Sequence, residues 1–540
     1  MLLGVISTFA STHYLNGAGS TTTVSFGTLV RPSLPPRMPV NTLVSFLITK
    51  RLQQIDLFRA NPSMAQLEVF LDLMQKARYT EWGRKYDYSS ITDPDEFRKR
   101  VPLQDYEDVK PFTERLRKGE QNLLWPTDIK WFAKSSGTTS SRSKYIPVSR
   151  EALEDCHYKG GKDLIAFHYQ QFPESKLYYG MTLLVGGSST IEQFRPDAYS
   201  GDLSSIIIRN LPIWVEVRRT PVIETALLEN WEVKIERMAR ETMREDVRCI
   251  AGVPSWTLVL FRRILELTGK KNILEVWPNL ELYMHGGVSF RPYRAQFEEL
   301  IPSPTMNYLE TYNASEGSFS IQDRHGADDM LLMLDYGIFY EFMPMDQVGK
   351  QDPRTILLNE VQVDTSYALV ISTNGGLWRY MPGDTIRFTS LSPHRIQVSG
   401  RIRSFINAFG EELIVENADR GIAAACEATR TIVQEYTAAP VYMADQARGG
   451  HEWVIEFETP PKDMDLFTHT LDKTMRSINS DYDAKRKGDM AMVAPVVHAV
   501  PSGTFYAWMK QRGKLGGQNK VPRLSNDRTI LEDLLAPIAI

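Results

Sequence analysis

The spacing of apolar residues changes several times along this chain, and each change predicts a different kind of structure. Residues 41–59 and 64–79 carry apolar positions at steps of three and four, which predicts two helices, with Asn61-Pro62-Ser63 as the stop and cap between them. From about residue 130, short apolar runs alternate with helical patterns. The runs are Met181–Val185, Cys249–Val253, Leu280–Met284 and Asn307–Glu310, each followed closely by Gly, Ser or Pro. That alternation predicts an α/β sheet with ligand loops at its strand ends. Residues 330–390 carry mostly strand signals, including Gly337–Phe342 and Tyr367–Thr373. An Asn374-Gly375 turn then precedes Leu377–Tyr380, which predicts a distorted barrel or an antiparallel sheet appended to the α/β part.

After Gly400 the pattern changes again. It predicts a helix near 415–429, strands near 431–436 and 452–458, a helix over 463–479, a strand near 493–500 and a last helix from Gly503. In the 463–479 segment Met464, Phe467, Leu471, Met475 and Ile478 share one helix face. The order suggests a small α+β domain. The expected organisation is therefore an α/β protein with a large domain over 38–400 and a small α+β domain over 401–540.

Composition narrows the picture. At 540 residues the chain is too long for one ordinary domain. Residues 11–37 are rich in Ser, Thr, Gly and Pro, so residues 1–37 are expected to be a disordered extension, with Met38 a candidate start. No Lys or Arg precedes the apolar stretch Leu2–Ala10, which argues against a secretory signal. A net charge of −4 leaves no basic excess for nucleic acid, and no stretch approaches the length of a membrane span. The three cysteines, Cys156, Cys249 and Cys426, stand far apart, as expected of a cytoplasmic, reducing setting.

Five segments could carry chemistry. In Ser135-Ser136-Gly137-Thr138-Thr139-Ser140-Ser141-Arg142-Ser143-Lys144, seven of ten residues are Ser or Thr. Hydroxyls, backbone N–H groups and a lysine are the donors that wrap phosphate oxygens, although a Ser-rich surface loop has the same composition. The segment lacks the Gly that precedes the Lys of a Walker loop. In Tyr312-Asn313-Ala314-Ser315-Glu316-Gly317 an aromatic residue at a strand end could stack on a base. Glu316 could hold Mg²⁺ together with substrate phosphates, while Asn313 to Glu316 also reads as a helix capping box. In Leu377–Asp384 the carboxylate of Asp384 follows Pro-Gly and could be structural or could hold sugar hydroxyls. Arg401 lies at the expected domain boundary, and Lys520 lies in the Gly-rich stretch Gly516–Arg523.

Taken together, in this order, the five resemble the adenylate-forming superfamily. SSGTTSSRSKYIP, YNASEG and LWRYMPGD resemble most the Gretchen Hagen 3 family, the auxin-responsive promoter proteins, over roughly residues 41–540. MHGGVSF (284–290) and GIFYEF (337–342) share the likeness, whereas Ser141 stands where that family often has Gly. The resemblance implies an acyl acid–amido synthetase with a barrel-bearing large domain and a mobile C-terminal domain. Ser135, Ser136, Gly137, Thr138, Thr139 and Lys144 would contact the ATP phosphates. Tyr312 would lie against adenine, with Asn313 beside it and Ser315 near the α-phosphate. Glu316 would hold Mg²⁺, Asp384 the ribose with Arg401 nearby, and Lys520 would bridge the acyl carboxylate and the α-phosphate. The partners implied are a carboxylic acid and an amine, in particular an amino acid. An acyl-CoA ligase, or a nucleotide-binding regulator without turnover, are the alternatives. Gly252-Val253-Pro254-Ser255-Trp256 is a candidate acyl-pocket lining, although Trp256 could equally be core.

Overall fold

The computed structural model describes residues 40–135, 144–186, 191–228, 230–287, 290, 293–401, 405–411, 413–442, 449–489, 491–512 and 522–536. The expected extension over 1–37, the residues Ser136–Thr139, and Lys520 lie outside them. The described residues from Lys50 onward form one compact unit.

The first helices run Val40–Ala60 and Pro62–Ala77, and only Asn61 parts them. The strands on either side of residues 136–143 pair with each other. Strand β1 (Trp131–Ser135) pairs antiparallel with β2 (Lys144–Val148), and Ser135 stands opposite Lys144. β2 was hidden in the sequence by Pro147, which disfavours a strand. Ser149 then caps the next helical segment, its Oγ accepting from Ala152 N at 2.9 Å and donating to Asn374 O at 2.6 Å.

The next strands are β3 (Met181–Val185), β4 (Glu192–Arg195), β5 (Ala198–Gly201), β6 (Arg219–Thr220), β7 (Val247–Gly252), β8 (Leu282–Gly286), β9 (Asn307–Ala314), β10 (Gly317–Ile321) and β11 (Met330–Leu332). They are followed by β12 (Ile338–Pro344), β13 (Ser366–Thr373), β14 (Asp384–Leu391) and β15 (His394–Arg401). Eleven of these strands form one sheet in the order β12-β13-β14-β15-β11-β10-β9-β8-β7-β3-β6, and β2-β1-β5-β4 form a second. β6, β3, β7, β8 and β9 run parallel. From β9 to β12 every neighbouring pair is antiparallel. β9 therefore joins a parallel half, with helices between its strands, to an antiparallel half built of hairpins. Leu377–Tyr380 is not a strand. Only Tyr380 bridges, to Ile371 and Gln104, because Gly376 at φ +89° turns the chain against Leu124 and seats the buried Trp378, whose Nε1 donates to Leu124 O.

The C-terminal segment carries β16 (Phe405–Ile406) paired with β17 (Leu413–Ile414), helix Val415–Thr429, β18 (Ile432–Val441), β19 (Gly450–Thr459), helix Met464–Ile478 and β20 (Val496–Val500). On the 464–478 helix Phe467, Leu471 and Met475 are buried as the periodicity requires, and Asp463 caps it. The sheet β18-β19-β20 is covered on both faces. Tyr436, Trp453 and Ile455 belong to an apolar cluster shared with Leu183, Phe261 and Tyr283. The alternate residues Ala439 and Val454 pack with Phe505, Trp508, Leu531 and Leu534.

Candidate nucleotide site

The C-terminal ends of parallel strands are where α/β sheets present ligand-binding loops, and β9 ends in the Tyr312–Gly317 motif. Ser315 and Glu316 form the two-residue turn of the β9–β10 hairpin, with Ala314 opposite Gly317. This overturns the capping-box alternative, since no helix starts there. Glu316 in this turn is half-buried and remains the candidate carboxylate for a metal shared with phosphates.

Asp384 opens β14 directly after Gly383 at φ +97°, and it is the cross-strand neighbour of Arg401 on β15. β14 lies four places from β9 in the sheet, yet the Tyr312 hydroxyl donates to Asp384 Oδ2 at 2.6 Å. The antiparallel half must curl for this bond to form, as twisted strands do. Both side chains are buried, and the Tyr312 ring packs on Phe319 at 4.8 Å. Three of the residues singled out in the sequence, Tyr312, Asp384 and Arg401, thus converge, the first two through side chains and Arg401 through the strand register.

Asn313 alternates to the opposite face of β9. There it is bonded by His157, which ends the π-helical turn Ala152–His157. The adjacent Cys156 Sγ accepts from Ser318 N at 3.1 Å. A π-helical turn shifts side-chain phase and is common beside functional sites. Here it seats two consecutive side chains on the motif hairpin. Burial lowers the pKa of His157 to about 4, so the imidazole is neutral at physiological pH. Lys144, at the start of β2, is buried with its ammonium 5.6 Å from the Tyr106 ring centroid. The Tyr106 hydroxyl accepts from Tyr145 N at 2.8 Å, which ties β2 to helix Tyr106–Lys118.

Glu310, two residues before Tyr312, has its pKa pushed up to about 7 by burial, against the opposing pull of Arg294. A carboxyl with a raised folded pKa contributes stability that is lost as pH rises from its unfolded value, about 4.5, through 7. Glu310→Gln should flatten that part of the stability profile, by up to about 3 kcal/mol, as read from melting temperature against pH. Trp256 packs against the apolar cluster that contains Leu258 and Phe409. It is half-buried at the junction with residues 405–411, its Nε1 donating to Phe409 O at 3.1 Å and the Lys485 ammonium 4.0 Å from its ring.

The sequence reading missed a buried ion pair that links two of its own motifs. Arg379 of LWRYMPGD donates to Glu341 of GIFYEF, with Nη2 to Oε1 at 2.9 Å and Nε to Oε2 at 3.0 Å. A charged residue inside an apolar strand run, Glu341 within Gly337–Phe342, was the available signal.

The mixed sheet and the appended α+β segment give a fold found in solved ligase structures. The fold matches 2-hydroxyisobutyryl-CoA ligase, in complex with its acyl-AMP and CoA, at a TM-score of 0.51 and 14% identity, covering 88% of this chain and 91% of that one. It matches the acyl acid amido synthetase AtGH3.15, in complex with 2,4-DB, at a TM-score of 0.59 and 16% identity, covering 93% of this chain and 97% of that one. Models of the GH3 family N-terminal, central and C-terminal domains match residues 51–306, 331–401 and 416–529. The chain belongs to the GH3 family. It is 22% identical to indole-3-acetic acid-amido synthetase GH3.3 of Arabidopsis thaliana, over 92% of this chain and 95% of that one. Its identity to jasmonoyl–L-amino acid synthetase JAR4 of Nicotiana attenuata is 21%, over 90% and 95%.

Proposed function

We propose that this protein activates a carboxylic acid with ATP and passes the acyl group to an amine, with an amino acid as the acceptor class. The observation that supports the reading is the Tyr312–Asp384 hydrogen bond, which joins an aromatic ring to a carboxylate of the kind that could hold a ribose diol. Amido synthetase relatives matched over nine-tenths of the chain support amine transfer.

In the first step a carboxylate oxygen attacks the α-phosphorus of ATP. The bond to the β-phosphate breaks, leaving acyl-adenylate and pyrophosphate. In the second, the amine attacks the acyl carbon, AMP leaves with the C–O bonding pair, and the amine gives up a proton. No protein nucleophile is required, because positioning and charge neutralisation lower such barriers. Ser135, Ser136, Gly137, Thr138, Thr139 and Lys144 take the phosphates that depart as pyrophosphate. Tyr312, Asn313 and Ser315 hold the base and α-phosphate side, and Asp384 holds the ribose with Arg401 at its shoulder. Glu316 is the carboxylate that would hold Mg²⁺, whose charge would offset that of the phosphates. Residues 38–400 form the nucleotide- and acyl-binding part. Residues 401–540 form the small part that swings about residues 400–403 to bring Lys520 in and withdraw it. Three free cysteines fit a reducing, cytoplasmic setting. Among the described residues no helix is long and apolar enough to cross a membrane.

The test is acid-dependent ATP–pyrophosphate exchange over a panel of acids, followed by product mass spectrometry with mixed amino acids or CoA. Exchange followed by N-acyl amino acids is expected. Acyl-CoA as the product would overturn the acceptor, and nucleotide binding without exchange would overturn turnover. Lys520→Ala should reduce exchange by about a hundredfold or more while sparing transfer from supplied acyl-adenylate. Unchanged exchange in this variant would remove Lys520 from the first step.

A further inference from the structure

Deeper along the face of β9 that carries Tyr312 lies a second set of polar side chains. Side chains alternate along a strand, so Tyr308, Glu310 and Tyr312 share one face. In register on β8, Tyr283 stands beside Tyr308 and His285 beside Glu310. His285 and Tyr308 are 3% and 7% exposed. Among the described residues, the Nδ1 of His285 and the hydroxyl of Tyr308 have no hydrogen-bond partner. Buried polar atoms are normally satisfied, and those that are not need an explanation. Two of them, two residues apart along adjacent strands and next to a carboxyl, point to a missing polar group rather than to a defect.

The surroundings say what kind of group. Phe290 covers both, its ring 4.1 Å from His285 and 5.3 Å from Tyr308 between centroids. Arg294 stands 5.5 Å from the Phe290 ring and acts electrostatically on His285, Tyr308 and Glu310. The other charges felt here are Asp328, toward Glu310, and Glu298, toward Tyr308. Burial keeps His285 neutral and Tyr308 protonated. The subsite thus offers a tyrosine hydroxyl that both donates and accepts, one imidazole nitrogen, and a carboxyl, between aromatic rings. A hydroxyl, itself donor and acceptor, satisfies that set. A second carboxylate would face Glu310, Glu298 and Asp328. At roughly 3.3 Å per residue, Glu310 and Tyr308 lie about 7 and 13 Å behind Tyr312 along the strand. A substrate whose carboxylate lies at the Tyr312 end would meet this set with its far end.

We infer that His285, Tyr308 and Glu310 form a specificity subsite for the distal hydroxyl of the acyl substrate, so that the preferred acid is a ring-bearing carboxylic acid with a hydroxyl remote from its carboxylate. This rests on the acid-activating reading above. Sites built to hydrogen-bond a substrate hydroxyl discriminate strongly against analogues that lack it.

The test measures kcat/KM in ATP–pyrophosphate exchange by the full chain for matched pairs: 3-(4-hydroxyphenyl)propanoate against 3-phenylpropanoate, and 4-hydroxyphenylacetate against phenylacetate. Indole-3-acetate serves as a further acid. The hydroxylated member is expected to be favoured about tenfold or more in at least one pair. In Tyr308→Phe, which keeps the ring, and in Glu310→Gln, the ratio within that pair should fall at least fivefold. Equal or greater activity with the deoxy member in both pairs overturns the subsite. So does a hydroxyl preference that survives both substitutions, or equal loss of both members in both variants at unchanged melting temperature. Absence of exchange with every acid, indole-3-acetate included, overturns acid activation itself.

Discussion

Asp384→Ala is expected to raise the KM for ATP by about two to four orders of magnitude while folding is retained. A carboxylate holding two ribose hydroxyls makes two hydrogen bonds to a charged group, each worth about 1.5–3 kcal/mol, and each 1.36 kcal/mol is a factor of ten. A ribose bound by Asp384 would be held alike in the ground and transition states, so the loss should fall on KM rather than on kcat. The structure adds a second consequence. Asp384 is the acceptor for the buried Tyr312 hydroxyl, so alanine also removes that bond. Tyr312→Phe keeps the ring and loses only the bond, and a smaller effect, about tenfold in KM, is expected. The two effects should not add, because they share one interaction. Steady-state kinetics on the two single variants and the double variant measure the coupling. Additive effects would mean that the Tyr312–Asp384 bond does not organise the ribose site.

The largest stability effect should come from Arg379. It is buried at φ +44°, a backbone conformation uncommon for a non-glycine residue. Besides Glu341, its guanidinium donates to Thr355 Oγ1 at 3.0 Å, to Arg98 O at 2.9 Å and to Val101 O at 2.7 Å. The last two are carbonyls at the C-terminus of helix Pro94–Arg100, where a cation is favourable. Arg379→Met would leave Glu341, only 1% exposed, with Thr355 Oγ1 as its remaining donor of this group. Breaking one side of a buried pair costs about 3–5 kcal/mol. Breaking the exposed Lys76–Asp72 pair should cost about 0.5 kcal/mol or less. Thermal melting should show a clear drop for Arg379→Met and almost none for Lys76→Met. Arg379→Met combined with Glu341→Leu should recover much of the loss, because no charge is then left buried. The same experiment carries a functional readout. Arg379 anchors the segment that leads into Asp384, so the single variant should also bind ATP more weakly.

Much of this was legible in the sequence because it rests on local rules. The helix over 464–478 announces itself by apolar steps of three and four, and the parallel strands by short apolar runs that end in small residues. The motifs appear as unusual residue types in fixed order. Where reading failed, a long-range constraint had overridden a local one. Asn313 to Glu316 has the letters of a helix cap and forms a hairpin turn, because Gly317–Ile321 finds β9 as its partner. Leu377–Tyr380 has strand composition, but it is bent so that Trp378 can fill a space beside Leu124.

The sequence alone determined most of the types of element and the identity and order of the residues with chemical potential. Each of these follows from neighbours a few residues apart. Tertiary structure alone decided that Tyr312 touches Asp384, that Glu341 holds Arg379, and that His285 and Tyr308 are left unsatisfied beside Glu310. Those facts depend on strand order and on the curl of an eleven-stranded sheet. Pairing across tens of residues is selected by the burial and hydrogen bonding of the whole sheet, which no local pattern encodes.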